Sequence, residues 1–493
     1  MTEKKQETQD ISRRKYLKYV AAGVVAVAAV GGGAYYYSTM PPTPAPTATA
    51  TPTMTATATA TETGTTFTGP NQPPLYFDIW LALPDIVKMN MDNFNAQNNE
   101  TGQVSVVSGD YTSVVETKLI SKSKIDMVFG TPVQAVRWYK AGWLNSVDEG
   151  PHYSDIVKDI YPWVVDLMEQ PQGGHLGWPY FVGGDVLHTN DKMLGQMLGR
   201  TPEASDYPKT WDDVLNQCRE AKQKGLSNQP FLPEWYAWLG GLPSYIQVQC
   251  YSEGEFLFDK NFDPTFDVNT PFADVLTNWK AFVDEGLAPT SEFATTEAEH
   301  IAAFCTGKYL YSVQRDYDCY SFNDPTKSKM AGYSHIVYPM PGRTHDAAAL
   351  IGGLFLISNN KFFDRDAWQS FRHFRLIEHF AWKDKNGNYA AKNYQNVFPV
   401  WMGYPSMNND PATRALWVSK GWMSADDFDN NTKMIEGTKV PPVYKGCIWF
   451  QEWLIGSGGV NDLVPQVMSG KIKVDECVTT LRALAVDLKN KYS

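Results

Sequence analysis

Short apolar runs alternate with longer amphipathic stretches along the chain from residue 75 onward. Apolar and β-branched side chains dominate 75–80, 104–108 and 124–129, which predicts three strands. Between them, 85–97 and 111–121 have the polar and apolar periodicity of helices. Strands that alternate with helices predict an α/β fold with a mainly parallel sheet and right-handed connections.

The next extended segment, 178–190, is interrupted by two adjacent glycines. Pro179 favours extended backbone before it, and aromatic and β-branched residues favour a strand on either side of Gly183 and Gly184. Backbone freedom is greatest at such a pair. The segment therefore predicts either a crossing between two lobes or one bulged core strand, followed by a helix start at Asn190.

Four segments keep the order and spacing of motifs from one known family: 141–149, 177–192, 208–214 and 304–309. They include Gly177 and Pro179, the Asn190-Asp191-Lys192 triplet, and the Pro-Lys-Thr-Trp run that begins at Pro208. In this arrangement the chain resembles the extracellular solute-binding proteins of family 1, the maltose and oligosaccharide type. The resemblance covers nearly all of residues 73–493. It implies a two-lobed, periplasmic-binding-protein-like α/β fold with hinge crossings and a central ligand cleft.

The same resemblance implies how the body is divided. Residues 71–182 and 340–382 are expected to form the first lobe, and residues 183–339 and 383–493 the second. A helix over 278–286 is expected in the second lobe, after a variable hairpin.

The N-terminal region predicts export. Residues 12–18, with Arg13 and Arg14, resemble a twin-arginine signal, and an uncharged apolar stretch follows at 19–37. Cations precede this stretch, which keeps the N-terminus inside and the body outside the membrane. Residues 1–38 thus predict a signal that is either retained as a membrane anchor or cleaved, which places the body outside the cytoplasm at the cell surface. Thr, Ala and Pro fill 39–70, which predicts an extended stalk.

Composition and charge narrow the function. The chain has a formal net charge of −11 and no basic stripe, which argues against nucleic acid. None of its six cysteines forms a Cys-x-x-Cys motif, and its eight histidines have no metal-ligand spacing. We therefore expect no metal, no cofactor and no enzymatic activity. The cysteines are expected either to form up to three disulfides or to be buried free thiols.

The family's ligand-binding turn corresponds to Glu234, Trp235 and Tyr236. A carboxylate offers acceptors to sugar hydroxyls, and flat rings cover the C–H face of a pyranose. Trp235 replaces a proline of the family motif, and core packing is the alternative for its side chain. Trp449 matches the family's last stacking aromatic, but Trp449 and Trp453 could equally form one buried helix stripe.

Further ligand-binding candidates lie in loops near strand ends, where α/β proteins bind ligands. These candidates are Trp80, Asp85, Thr131, Asp185, Arg315 and Tyr317. For Asp85 and Arg315, the alternative is a charge that is simply solvated.

Together these features predict a monomeric substrate-binding component of an ABC transporter. It would capture a carbohydrate, in particular an oligosaccharide, and present it to a membrane permease. Two alternatives remain open at this point. One is binding of a peptide or another polar solute by the same fold. The other is an exported carbohydrate-active enzyme with Asp185 and Glu234 across the cleft.

Overall fold

The computed structural model describes residues 73–80, 83–108, 111–171, 173–237, 239–344 and 350–492. The predicted signal or anchor at 1–38 and the stalk at 39–70 lie outside these residues.

Two separate β-sheets organise the described part of the chain. The first sheet has the strand order β2-β1-β3-β9-β4, and the second has the order β6-β7-β5-β8. The strands are β1 (Tyr76–Ile79), β2 (Gln103–Val106), β3 (Met127–Gly130), β4 (Trp178–Gly183), β5 (Asp185–Asn190), β6 (Phe231–Leu232), β7 (Tyr311–Arg315), β8 (Ser334–Ile336) and β9 (Leu350–Ile357). We call the bodies built on these sheets the first and second lobes.

Helices pack around both sheets. In chain order they are α1 (Pro84–Asn98), α2 (Tyr111–Ile120), α3 (Pro132–Lys140), α4 (Tyr153–Lys158), α5 (Pro162–Met168), α6 (Asp191–Leu198), α7 (Trp211–Gln223), α8 (Leu242–Ser252), α9 (Pro271–Asp284), α10 (Glu297–Cys305), α11 (Cys319–Phe322), α12 (Ala367–Ala381), α13 (Lys392–Gln395), α14 (Pro405–Asn408), α15 (Pro411–Ser419), α16 (Ala425–Glu436), α17 (Phe450–Ile455), α18 (Val460–Met468) and α19 (Val474–Tyr492).

Strand direction in the first sheet departs from the sequence prediction. β1 runs parallel to β2 and β3, as predicted, but β9 is antiparallel to both β3 and β4. The chain leaves the first sheet where β4 ends and re-enters it, through β9, at that same end of the strands. β9 must therefore run in the opposite direction. In the second sheet β6 and β7 are parallel, and β5 is antiparallel to β7 and β8. The predicted parallel arrangement is therefore confirmed for β1, β2 and β3, and one strand in each sheet, β9 or β5, runs against its neighbours.

The glycine pair lies between the two sheets. β4 ends at Gly183 in the first sheet and β5 begins at Asp185 in the second. A Cβ at Gly183 would lie 2.8 Å from Oδ1 of Asp316, a contact that side chains do not tolerate. The backbone N–H of Asp316 also donates a 3.0 Å hydrogen bond to the carbonyl of Gly184. Glycine thus lets the crossing backbone approach the second lobe closely.

Several helix starts follow from local sequence. Asn190 caps α6 through its side chain, and Thr210 forms a capping box with Asp213 at α7. Helix α9 begins at Pro271, earlier than the predicted Asn278. Proline suits the first helical turn, and the buried carboxylate of Glu255 accepts the N–H of Phe272 at 2.7 Å.

The segment after α12 contacts the first lobe. The N–H of Val182 on β4 donates to the carbonyl of Trp401 at 2.8 Å. Asn90 on α1 donates to the carbonyl of Ala390 at 3.2 Å. Further along, Asp427 on α16 accepts the N–H of Ile336 on β8 at 2.8 Å, so the chain reaches the second lobe again.

All six cysteines are buried free thiols, which resolves the alternatives left by the sequence in favour of thiols. Burial raises the pKa of Cys305 to about 12, so this thiol stays protonated. Across residues 73–492, the helices that the structure describes are each too short or too polar to cross a bilayer.

Candidate functional site

The two sheets approach each other by the edges that flank the crossing. In the first sheet, β1, β3 and β4 end at this edge, where Trp80, Thr131 and Phe181 lie; we call it the first edge. In the second sheet, β6 and β7 end and β5 begins at the facing edge, because β6 pairs in parallel with β7 and Asp185 pairs with Arg315. We call this the second edge, formed by Asp185, Glu234, Arg315 and 316–318. Ligands of α/β proteins bind at such strand ends.

Arg315 is the centre of the second edge. Its buried guanidinium forms an ion pair with Asp185 and lies 3.5 Å from Oε1 of Glu234. It also donates to the carbonyl of Gly240, and its Nη1 lies 3.5 Å from the hydroxyl of Ser244. Arg315 is therefore not a solvated surface charge.

Glu234 and Tyr236 belong to the same cluster. The Tyr236 hydroxyl donates to Oε1 of Glu234 at 2.6 Å, and both side chains are fully buried. Oε2 of Glu234 has no hydrogen-bond donor among the described residues. Burial raises the pKa of Glu234 well above its usual value, and the nearby charges of Glu297 and Asp318 raise it further.

The enzyme alternative requires Asp185 and Glu234 to face each other across the cleft. The structure does not place them in that way. Both belong to the second edge and share Arg315. The register of β5 against β7 sets this arrangement, because it places Asp185 directly opposite Arg315.

Two aspartates that sequence analysis did not select complete the second edge. Asp316 accepts a hydrogen bond from Asn431 at 2.9 Å, and burial raises its pKa to about 7. Asp318 is 2% exposed, and its Oδ2 lacks a donor among the described residues. Burial raises the pKa of Asp318, and the neighbouring Glu297 charge adds to this effect. Their position directly after Arg315 was the signal that could have identified them.

The first edge consists mainly of aromatic rings. Trp80 stacks on Phe129 with 5.0 Å between ring centroids, and Phe129 stacks on Tyr180 at 4.4 Å. Trp80 is only partly buried. A Cβ at position 353 of β9 would lie 3.1 Å from the indole, so Gly353 leaves room for this stack. The stack holds a partly open indole rigidly at the end of β1.

Tyr317 connects the two edges. Its ring makes an edge-to-face contact with Phe181 of the first lobe at 6.1 Å and lies 5.2 Å from Phe398. Sequence analysis missed Phe181, whose place in an apolar strand resembles any core position.

Thr131 and Asp85 lie at helix starts. Thr131 forms a capping box with Gln134 at the start of α3, which explains this residue without a ligand. Asp85 is exposed in the first turn of α1, where a negative charge is favourable. The structure does not bring Asp85 into contact with the second-edge cluster.

Trp235 and Trp449 lie in the hydrophobic core of the second lobe. Trp235 is fully buried and stacks on Phe293 at 4.8 Å with an interplanar angle of 6°. Trp449 is 3% exposed, and both Trp449 and Trp453 contact Phe258 edge-to-face. In this structure protein covers the rings of both Trp235 and Trp449. Both residues therefore fit the alternative of core packing that the sequence analysis left open.

The groove on the first lobe and the distribution of possible metal ligands offer no second site among the described residues. An open groove of about 550 Å³ lies on the flank of the first lobe, and its lining includes Asn90, His379, Asp384, Tyr389 and Asp410. Much of its polar lining is already paired, for example Asp410 with Lys392. Within the described ranges, no group of His, Cys, Asp and Glu side chains has the arrangement of a metal site.

Solved structures of similar fold are binding proteins for sugars. Maltose-bound MalE3 of T. maritima has a TM-score of 0.64 at 13% identity, covering 84% of this chain and 99% of that one. A sugar transporter from Arthrobacter chlorophenolicus A6 with bound laminaribiose has a TM-score of 0.63 at 15% identity, covering 84% and 99%. The sugar-binding protein MalE from Xanthomonas citri has a TM-score of 0.63 at 17% identity, covering 85% and 98%. These similarities confirm the two-lobed fold.

The family assignment comes from the sequence itself. A family profile described as bacterial extracellular solute-binding protein matches residues 90–414, about two thirds of the chain. This match confirms the resemblance that the motifs indicate. Members of this family are binding proteins rather than enzymes, and they act outside the cytoplasm. The chain belongs to the bacterial extracellular solute-binding proteins.

Proposed function

We propose that this protein captures a carbohydrate outside the cytoplasm and presents it to the permease of an ABC importer. The observation that carries the proposal is the pairing of two unlike edges at one crossing. The first edge offers a partly open indole on a rigid ring stack. The second offers carboxylates and a guanidinium.

This combination fits the chemistry of a sugar. One face of a pyranose carries C–H groups that pack on an aromatic ring, and its rim carries hydroxyls that donate to carboxylates and accept from arginine. We assign Trp80 to ring stacking and assign Asp185, Glu234 and Arg315 to the hydroxyls. Capture of maltose and laminaribiose by proteins of similar fold supports this assignment.

Binding requires that the lobes separate and close again, because the second-edge side chains are buried in this structure. A ligand that contacts both edges favours the closed arrangement through its additional contacts. The direct route of the chain through Gly183 and Gly184 makes this pair one hinge of the motion.

Catalysis has less support than binding. Asp185 and Glu234 share one guanidinium on the same lobe, whereas a glycosidase places two carboxyl groups on either side of the scissile bond.

The test is a calorimetric titration of the full-length protein, purified in mild detergent, with maltose, laminaribiose and a set of di- and tripeptides. We expect saturable heat from at least one saccharide, none from the peptides, and no breakdown of the saccharide by chromatography. Binding of peptides without saccharides would support the peptide alternative, and saccharide cleavage would support the enzyme.

We also propose that residues 1–38 direct twin-arginine export and then remain as a membrane anchor. Residues 39–70 would hold the body away from the membrane. This body would be a monomer and would not bind nucleic acid. The paired Arg13 and Arg14 before an uncharged apolar stretch support this proposal. Replacing both arginines with lysine should keep the protein inside the cell, as measured by fractionation. Unchanged surface display would indicate another export route.

A further inference from the structure

The second edge carries more acid than the protein neutralises. Five carboxyl groups lie there. Glu234, Glu297, Asp316 and Asp318 influence one another, and Asp185 shares Arg315 with Glu234. All except the partly exposed Glu297 are 2% exposed or less. Arg315 is the cation that pairs with them, and buried charges normally require one partner each.

The contacts of the Arg315 terminal nitrogens go to groups other than Asp316 and Asp318, although its charge still lowers the pKa of both carboxyl groups. Its terminal nitrogens already contact Asp185, Glu234, the Ser244 hydroxyl and the carbonyl of Gly240. Asp316 receives its hydrogen bond from Asn431. Besides Oδ1 of Asp316, two oxygens of other residues are left without a donor among the described residues: Oε2 of Glu234 and Oδ2 of Asp318.

The surroundings of these two oxygens do not supply the missing charge. Tyr236 donates to the other oxygen of Glu234. Behind Tyr236, His300 is paired with its own carboxylate, Glu292, at 2.8 Å. Gln314 contributes an amide nitrogen that itself lacks a partner. A buried acceptor without a donor destabilises the fold, so an arrangement with two of them indicates a ligand that donates.

We propose that the ligand is an amino-substituted carbohydrate, whose ammonium group binds at Glu234 and Asp318. This inference rests on the function proposed above and narrows its substrate class. A neutral sugar supplies hydroxyl donors but no positive charge that would favour the ionised carboxylates. An ammonium supplies three donors and a positive charge at one point.

Proton release should accompany binding. Burial raises the pKa of Glu234 and of Asp318, so each carboxyl group holds its proton more tightly than an exposed one does. An ammonium that binds between them favours their ionised forms. The preference for an amino sugar should therefore weaken as the pH falls, because protons compete with the ligand.

The experiment compares matched sugars on the full-length protein by calorimetric titration. The pairs are glucosamine with glucose, galactosamine with galactose, and the β-1,4-linked disaccharides of glucosamine and glucose. We expect one amino sugar to bind at least tenfold more tightly than its neutral partner at pH 7.5. The ratio should fall at pH 5.5, and protons should be released in buffers of different ionisation enthalpy.

Two variants localise the effect. Asp318→Asn should bring the ratio below threefold while the neutral sugar still binds. If this variant does not fold, proton release by the wild-type protein decides, because equal release with amino and neutral sugars would overturn the inference. Asp212→Asn, an exposed carboxylate on α7, is the matched control and should keep the full ratio. Neutral sugars that bind as tightly as their amino partners would overturn this inference and leave the proposed function intact. If no sugar of either kind binds, the proposed function fails as well.

Discussion

The first and second edges face the same crossing with opposite chemistry. The first edge is a ladder of rings in which Trp80, Phe129 and Tyr180 cover one another. The second edge is a network of charges around Arg315. The rings need only van der Waals contact with one another, whereas the charged network leaves buried oxygens without hydrogen-bond donors among the described residues.

This difference indicates how the two lobes divide the work of recognition. The first edge is complete without ligand and offers a fixed surface, so its contribution to affinity is mainly contact area. The second edge is incomplete without ligand, so its contribution is mainly the removal of an electrostatic cost. Selectivity among sugars should therefore come from the second lobe.

The largest effect is expected when the cation of the second edge is removed. Arg315→Met leaves Asp185 and Glu234 buried without a cationic partner and should reduce the free energy of unfolding by about 3–5 kcal/mol. Denaturant unfolding at pH 7.5 measures this change. Arg414→Met is the control, because Arg414 pairs with Asp429 on the surface and should cost less than about 1 kcal/mol. Equal losses in the two variants would mean that the second edge is not a buried network.

At the first edge, Trp80→Ala should chiefly weaken binding. Loss of the stacking indole should cost about 2–4 kcal/mol of affinity, a range typical of an aromatic anchor. The paired variant Trp235→Ala removes a core ring of equal size and should instead cost about 3–5 kcal/mol of stability. Calorimetric titration and thermal melts on both variants separate the effects. The reverse pattern would return the stacking role to Trp235.

A smaller effect is expected from the pH response of the second edge. Burial raises the pKa of Asp316 from 3.8 to about 7, so across this range the folded state holds a proton that the unfolded state has lost. The stabilisation is complete below about pH 4 and falls as the pH rises to 7, by at most about 1.4 kcal/mol per pH unit. Asp316→Asn cannot titrate, and its unfolding free energy should decline less than that of the wild type between pH 5 and 7.

The control for this measurement is Asp429→Asn. Its hydrogen bond with Arg414 lowers the pKa of Asp429, which is therefore ionised throughout this range. The slope should be unchanged in this variant. A flattened slope in both variants would assign the pH response to the protein's overall charge.

The smallest effect is expected at Asp85. Asp85→Ala removes a favourable charge from the first turn of α1 and should lower stability by about 0.3–1 kcal/mol. Affinity for the sugar should stay within twofold of the wild type. A tenfold loss of affinity would place Asp85 in the binding site, as the sequence analysis predicted.

Local sequence predicted much of the fold. The predictable features were the helix starts at proline, asparagine and threonine, the alternation of apolar runs with amphipathic segments, and the glycine pair. Each of these depends only on residues that are close together in sequence. The direction of β9 depends instead on where the chain re-enters the first sheet, and no short pattern contains that information.

The candidate site was only partly predictable for a related reason. Glu234, Tyr236, Asp185 and Arg315 lie in different parts of the chain, and strand register brings them together. Trp80 ends a predicted strand, and Trp235 belongs to the predicted ligand-binding turn. Which of them is buried depends on the partners Phe293 and Gly353, which lie far away in sequence.

The position of β9 also sets an order of assembly. β4 has β9 as its neighbour in the first sheet, and β9 lies between β4 and β3. A growing chain that has reached residue 344 has completed all four strands of the second sheet. At that stage β4 is an unpaired edge beside the first three strands. The first sheet is thus the later of the two sheets to be completed, and it waits for the contact of longest range among its own strands. Any route that exports the body already folded must wait for residues 350–357 to be synthesised.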